Sequence, residues 1–395
     1  MPAKCVLIVD PGNYTPYYDL NLCDALIKQG WKVELLTAQY LFESIAAPSN
    51  VPVRYLFLGG AAALMRRLPG ICLIPAVRRG LKALSYPFDL VRLDRELASR
   101  PAAVLHVQWA LLPILDAFFW RRWQTKGWRI VYTAHDVDGL DGTTPRLLAG
   151  TNRHLFRLAD AVATHSERDR AQIIRLGATP SRVTRVPQGT PGIFRTPHVG
   201  QAEARRELGL DPTRPTILFF GLLKAYKGLP VLLSSLVKVR DHFPNVLLLI
   251  VGKSLEDDRD YMRTIARLGL AGCIHWERSY VPSRRVGLYF ASADVVALPY
   301  RAASSSAVLL NAYAYSLPIV ATTVGGFPEM VEHGRTGFLV PPDAPAAFAD
   351  ALVGLLRNPE LAHAMGQRAR QYAMTHHEWS LIGHLTAEIY KTIND

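Results

Sequence analysis

ILFFGLLKAYKGLPVLLSSLVKV, residues 217–239, reads as strand, glycine turn and helix in direct succession. Residues 217–220 are apolar at every position, the pattern of a strand covered on both faces of a parallel sheet. Gly221 to Gly228, GLLKAYKG, then carries Lys224 and Lys227 three positions apart between its glycines. Glycine lets a backbone approach a ligand closely, and the start of the following helix favours an anion. A phosphate group fits such a loop, and so does an ordinary βα connection with two exposed lysines.

The same alternation extends both ways. Short apolar runs at 246–251, 274–276, 295–298 and 319–321 follow it, and runs at 5–9, 33–36, 104–107, 130–133 and 161–164 precede it, with helical patterns such as 19–28 and 145–158 between. Strands alternating with helices imply βα units around parallel sheets. Two similar α/β halves result. Pro197, Pro212 and Pro215 bracket a charged helix at 202–208, which reads as a hinge segment. The expected division is an N-terminal domain over 1–195, a C-terminal domain over 196–378, and a last helix at 379–395 that crosses back toward the first domain.

The length of 395 residues allows two or three domains at about 150 residues each. With 49% hydrophobic residues and seven tryptophans the chain is globular, which excludes wholesale disorder. Its apolar runs fall far short of the ~18 residues needed to span a bilayer. MPAKCVLIVD lacks a signal peptide's length and cleavage site and reads as a first strand. Cys5, Cys23, Cys72 and Cys273 have no paired spacing, which argues against a zinc site or a disulfide framework and for a reducing cytoplasm.

The net charge of +12 is uneven: residues 1–195 carry 25 basic against 15 acidic side chains, a balance of +10. Residues 61–100 hold eight basic side chains against three acids, interleaved with Leu64, Leu84, Phe88 and other apolar groups. Such a stretch suits an anionic membrane surface. Nucleic acid would be drawn by the same field, but no nucleic-acid motif accompanies it, and none is expected as a partner. A solvated basic helical face is the structural alternative.

From Ala293 the chain reads ADVVALPYRAASSSAVLLNAYAYSLPIVATTVGGFPEMVEHGRTGFLVPPD. This stretch resembles the donor-binding region of retaining family 4 glycosyltransferases with the GT-B fold: an AD-strand-P start, a serine-rich loop, a short helix, the PIVAT strand, GG-x-PE, and an HGRTGFLVPP turn. GLLKAYKG is similar to that family's diphosphate clamp, and HHEWSLIGHLTAEIYKTI to its closing helix. The N-terminal half resembles it more weakly, through VDPGNYTPYYDLNLCDALIKQGWKVELLT, HVQW and IVYTAHDV.

The resemblance implies two Rossmann-like domains facing across a cleft. It implies hexosyl transfer with retention from a nucleotide-sugar donor to a sugar, lipid-linked or small-molecule acceptor, in cell-surface polysaccharide, glycolipid or related synthesis. No metal and no cofactor are expected. The setting would be the cytoplasm, with peripheral attachment to the inner face of the membrane. Lys224 and Lys227 would neutralise the leaving diphosphate without protonating it. Gly221 lies in the same clamp. Ser304, Ser305 and Ser306 lead into a helix at 307–314 whose free amides, at Ala307 and Val308, point at phosphate; a purely structural cap is the alternative. Family members carry two glutamates eight positions apart here, at the positions of Ala303 and Asn311 in this sequence. Asn311 retains donor and acceptor groups for a ribose hydroxyl, whereas Ala303 offers none, so a noncatalytic homologue acting as a binding or scaffold protein is the rival reading. The serine-rich loop resembles a subgroup that replaces the first glutamate.

In the N-terminal half, Gly12 and Asn13 follow the first strand where the family places a glycine loop beneath the diphosphate; a plain βα turn fits equally. His135 sits at a strand's C-terminal end, where open α/β sheets bind ligands, and by resemblance lies beside the transferred sugar. His106 reads as structural. Asp136 and Asp138 form a DVD that is read as accidental, since the lysines serve the phosphates. Glu329 opens a helix, where a carboxylate is favoured anyway, or contacts the donor.

Overall fold

The structure, a computed structural model, describes residues 4–40, 42–59, 75–137, 152–192, 199–254 and 257–394, with the side chains of 75–79 and 82 left aside. Cys72, Asp138, residues 60–74 of the basic stretch, and residues 145–151, which open an expected helix, lie outside that description. Two compact units divide the chain: Met1–Pro187 with Trp379–Asp395, and Gln188–Glu378.

The first unit holds seven parallel strands: β1 (Cys5–Asp10), β2 (Lys32–Ala38), β3 (Val53–Phe57), β4 (Val104–Val107), β5 (Arg129–Ala134), β6 (Ala161–Thr164) and β7 (Val183–Arg185). Their order is β3-β2-β1-β4-β5-β6-β7. Helices α1 (Pro16–Lys28), α2 (Pro75–Ala98), α3 (Pro113–Thr125), α4 (Asn152–Leu158) and α5 (Glu167–Arg175) are the crossovers. Pro16 and Pro113 start their helices where a missing N–H costs nothing, and the Ser166 hydroxyl caps α5 by accepting from the Asp169 amide at 3.0 Å. Trp120, Trp123, Tyr86 and Phe57 are fully buried in one core.

The second unit repeats this plan with β8 (Thr216–Phe220), β9 (Leu247–Val251), β10 (Ile274–Glu277), β11 (Val295–Leu298), β12 (Ile319–Thr322) and β13 (Gly337–Val340), ordered β10-β9-β8-β11-β12-β13. Its helices are α6 (Gln201–Glu207), α7 (Leu229–His242), α8 (Arg259–Arg267), α9 (Ser283–Ser292), α10 (Ala307–Ala314), α11 (Phe327–Met330), α12 (Pro345–Arg357) and α13 (Pro359–His376). A final helix, α14 (Trp379–Asn394), belongs to the first unit and packs on α1, where Gly383 leaves so little room that a Cβ there would lie 2.9 Å from Ala25 Cβ.

Several sequence expectations are corrected. The junction lies at Pro187/Gln188 and not at 195/196, because the Val186 amide still donates to Thr164 of the first sheet while the Thr190 amide donates to the His377 carbonyl of the second unit. The charged helix α6 is no hinge: Arg205 is buried, ion-paired to Asp294 at 2.8 Å and donating to the Ser292 and Pro212 carbonyls. The HGRTGFLVPP stretch contains a strand, β13, beside β12. Gly337 is there because a Cβ would stand 2.8 Å from the Ile319 carbonyl oxygen. Strands β3 and β7 were not expected. The first, at a sheet edge, exposes Arg54 and Tyr55 in succession before its buried Leu56 and Phe57, and the second is three residues long.

Candidate active site

In an open sheet of this order the chain reverses direction beside its first strand, and ligands bind in the crevice at the strands' carboxyl ends there. The two reversal points are β1/β4 and β8/β11. GLLKAYKG leaves β8 and PYRAASSS leaves β11, so the two loops that the sequence singles out flank one reversal point.

The loops are laced together by their backbones. The Arg301 amide donates to the Tyr226 carbonyl at 2.7 Å, and a Cβ on Gly228 would lie 1.9 Å from the Pro299 carbonyl oxygen. Gly228 has φ +71° and Gly221 φ +102°, a region that only glycine enters without strain. Gly221 also makes room for Lys227, whose Nζ would stand 2.7 Å from a Cβ there. Lys227 is only 7% exposed. Its Nζ lies 5.5 Å from the centre of the Tyr300 ring, and among the described residues it has no ion-pair partner. Burial, with the charge of Lys224 added, pushes its pKa down from 10.5 to about 7. Lys224 is half-buried, its Nζ 5.9 Å from the Tyr226 ring centre.

On the opposite lip, Ser306 is the N-cap of α10 and accepts from the Leu309 amide at 3.2 Å. That leaves the Ala307 and Val308 amides at the head of the helix, where the peptide dipoles carry partial positive charge. Ser304 is buried, and its hydroxyl has no hydrogen-bond partner among the described residues. Ser305 is half-buried. Ala303 is buried, and its carbonyl is met so closely by Gly325, φ +55°, that any Cβ at 325 would overlap it. Asn311 is spent in part within its helix, its amide donating to the Ala307 carbonyl at 2.8 Å. Glu329 is half-buried in the first turn of α11.

At the other reversal point, Asp10 ends β1 and organises the turn: its carboxylate accepts from the amides of Gly12 at 3.1 Å, Tyr14 at 2.9 Å and Thr15 at 3.3 Å. Asp19 is buried against it. Burial raises the pKa of both carboxyls, that of Asp19 far above the ordinary range because the Asp10 charge adds to it, so the pair holds a proton. Asn13, φ +49°, donates its side-chain amide to the Ala38 carbonyl at 2.6 Å, tying the turn to β2.

His135 stands on the β5 end, stacked on Trp109 at 5.0 Å and hydrogen-bonded through Nδ1 to His165 Nε2 at 2.9 Å. His165 Nδ1 lies 3.0 Å from the Val186 carbonyl, which only accepts, so that nitrogen carries the hydrogen. Burial pushes His165 down to about 4 and holds His135 well below the usual histidine range, where the nearby imidazoles of His165 and His106 further disfavour a proton. Both rings are therefore neutral, His135 Nδ1–H donates to His165, and His135 Nε2 presents a lone pair. The Gln108 side-chain amide lies 2.9 Å from that nitrogen. Turning its NH₂ toward the ring satisfies both groups. His106 bonds Tyr390 at 2.5 Å and Thr133 at 2.7 Å and is structural.

A family profile described as "Glycosyl transferases group 1" matches residues 214–358, and another, "Glycosyl transferase 4-like domain", matches residues 17–189. D-inositol 3-phosphate glycosyltransferase of Segniliparus rotundus is 30% identical over 317 residues, spanning 73% of this chain and 69% of its own. The chain belongs to the group 1 glycosyltransferases. Among solved structures, sucrose-phosphate synthase from Thermosynechococcus elongatus superposes with TM-score 0.74 at 19% identity over 99% of both chains. Anabaena HepE in complex with UDP-glucose does so with TM-score 0.72 at 18% identity, again over 99% of each. These likenesses show the fold, the GT-B pairing of Rossmann-like domains.

Sequence reasoning set Lys224 and Lys227 side by side; the glycosyltransferase's structure separates them into a half-exposed and a buried ammonium. It missed Gln108 and His165, whose roles depend on contacts between strand ends. It also missed the Asp10–Asp19 pair, although Asp10 directly precedes the PGN turn. Among the described residues no cluster of metal-ligating side chains occurs, and no helix is long and apolar enough to cross a membrane.

Proposed function

We propose that this glycosyltransferase moves a hexosyl group from a nucleoside diphosphate sugar to an acceptor hydroxyl, with retention at the anomeric carbon. The observation that carries this reading is Lys227, a buried lysine with no ion-pair partner among the described residues, at the β8/β11 reversal point. An uncompensated buried cation is costly, and a diphosphate beside it supplies the missing charge. Lys224 and the Ala307 and Val308 amides add stabilisation as negative charge grows on the leaving group. Gly221 keeps the approach open, and Ser304, Ser305, Ser306 and Asn311 supply hydroxyl and amide partners for the donor. Glu329 is a further donor contact. His135, held by Trp109, Gln108 and His165, is a proposed contact of the transferred sugar, and Gly12 and Asn13 are proposed contacts of the donor.

The donor is proposed as a uridine nucleotide because a structural neighbour was solved with UDP-glucose. A phosphorylated cyclitol or another sugar acceptor is suggested by the relatives' name. A scaffold protein without activity has no use for a buried lysine that lacks an acidic partner among the described residues, which counts against the rival reading. No metal is assigned a role. The working place is the inner face of the membrane, where glycoconjugate precursors are built, with the protein attached peripherally through its basic N-terminal surface. A thermal-shift panel of UDP-, GDP- and ADP-sugars tests the donor: at a hundred times its dissociation constant the right one stabilises by about 2.7 kcal/mol, and a panel with no shift for any sugar nucleotide overturns the assignment.

A further inference from the structure

Two helices on one side of the first sheet repeat the same surface. In α2, Tyr86, Leu90, Leu93 and Leu97 face the core, while Leu84 and Phe88 point outward at 71% and 76% exposure. In α3, Ala117, Trp120 and Trp123 are buried, and Ile114 and Phe118 stand outward at 66% and 61%. Each pair is spaced four residues apart, one above the other on a helix face.

The helices are cross-linked at two levels. Tyr86 donates to the Asp116 carboxylate at 2.5 Å, and further along Trp123 and Arg122 both donate to Asp94 at 3.1 Å. The links join residues about thirty positions apart, which sets Leu84 level with Ile114 and Phe88 level with Phe118. The four exposed side chains thus stand at matching heights on two parallel helices. One turn further on, Arg92, Arg95 and Arg121 are exposed, and Arg95 and Arg121 have no ion-pair partner among the described residues. The acids nearby are occupied: Asp94 by Arg122 and by Lys126 at 2.8 Å, and Asp89 by the Leu58 amide at 2.8 Å with Arg92 beside it. A groove of about 730 Å³ runs along Phe118, lined also by Arg121, Arg122 and His154.

We propose that the outward faces of α2 and α3 form a single docking surface for an anionic phospholipid bilayer, with Leu84, Phe88, Ile114 and Phe118 entering the interface and Arg92, Arg95 and Arg121 resting on lipid phosphates. Charge complementarity decides for this occupant. An apolar surface bordered by exposed arginines, with the nearby carboxylates occupied, matches a layer of apolar chains beneath negative headgroups. The proposal rests on the peripheral attachment proposed above and says which residues make it.

The test is sedimentation with vesicles of phosphatidylcholine and phosphatidylglycerol in equal parts, and with phosphatidylcholine alone. It compares wild type with Phe88→Ser/Phe118→Ser and with Arg95→Glu/Arg121→Glu. The changed side chains are exposed, so the variants should keep the wild-type melting temperature and its shift with UDP-glucose. The wild type should bind the anionic vesicles and release as salt is raised, since charge attraction is screened within ~10 Å at 0.1 M. The aromatic variant should bind at least tenfold more weakly. The charge variant should lose about fivefold per arginine and most of its salt dependence. A wild type that ignores anionic vesicles defeats peripheral attachment altogether. A wild type that binds while both variants bind equally well leaves the attachment standing and overturns this surface. A wild type that sediments as a dimer in solution, with the aromatic variant monomeric, assigns the surface to a second copy of the chain and overturns the proposal too.

Discussion

Replacing Lys227 with methionine keeps the length of the buried stem and removes the charge, and the structure sets the size of the result. Lys227 titrates at about 7 in the fold against 10.5 when free, because burial and Lys224 disfavour the cation. The fold therefore binds fewer protons than the unfolded chain between those values, and stability rises with pH across that window. Carrying the lysine costs roughly 5 kcal/mol at pH 6, easing to about 2 kcal/mol at pH 9. Lys227→Met should accordingly raise the melting temperature of the free protein, more at pH 6 than at pH 9, while donor binding collapses. In the wild type, a bound diphosphate restores the proton. At pH 8 Lys227 is mostly neutral, so binding should take up a large fraction of a proton, and much less at pH 6. Calorimetry in buffers of different ionisation enthalpy counts that proton directly. A sugar nucleotide is the right probe because its diphosphate diester does not itself titrate near neutrality. No proton uptake at pH 8, or a methionine variant that melts lower and binds the donor normally, would refute the reasoning.

Three further outcomes follow from single side chains. Ser304→Ala removes a buried hydroxyl that no described residue satisfies, so it should weaken donor binding by about 1 kcal/mol while leaving the free protein as stable or more so; equal binding in isothermal titration would make the hydroxyl a structural remnant. Ala303→Glu forces a carboxylate into a buried position whose backbone is pressed by Gly325, and should cost 2 kcal/mol or about that in stability with no gain in transfer, as chemical denaturation and turnover will show. Asp19→Asn removes a carboxyl whose folded pKa is far above the ordinary 3.8. The wild type loses stability as pH climbs from about 4 through that raised value, so the asparagine variant should gain on it as pH rises, and parallel melting curves from pH 4 to pH 8 would contradict the shared proton.

The parts of the fold legible in the sequence are those where one side chain type repeats under one physical demand. The apolar runs at β4, β6 and β11 agree with the structure to the residue because both faces of these strands are covered. Strand β3 escaped because an edge position exposes Arg54 and Tyr55, and β13 because Gly337 reads as a turn when its role is to pass beside Ile319. In the candidate site, the glycine loop and the serine cap were visible as local patterns of strand, turn and helix start. What sequence could not tell was which lysine is buried, since the burial of Lys227 comes from Gly221 on its own loop and Tyr300 from another. Nor could it reveal the chain from Val186 through His165 to His135 and Gln108, whose members are up to 78 positions apart and meet only because β4, β5 and β6 are neighbours.

The central claim is that the β8/β11 reversal point holds a diphosphate leaving group through Lys227. The most direct test is the release of nucleoside diphosphate from sugar nucleotides, with and without inositol phosphate and simple sugar acceptors, in the presence of a chelator. The account predicts turnover by the wild type that chelation does not abolish, and a fall of about 10² or more in Lys227→Met although that variant is folded. Release that is the same in the variant as in the wild type, or that needs an added divalent metal ion, would contradict it.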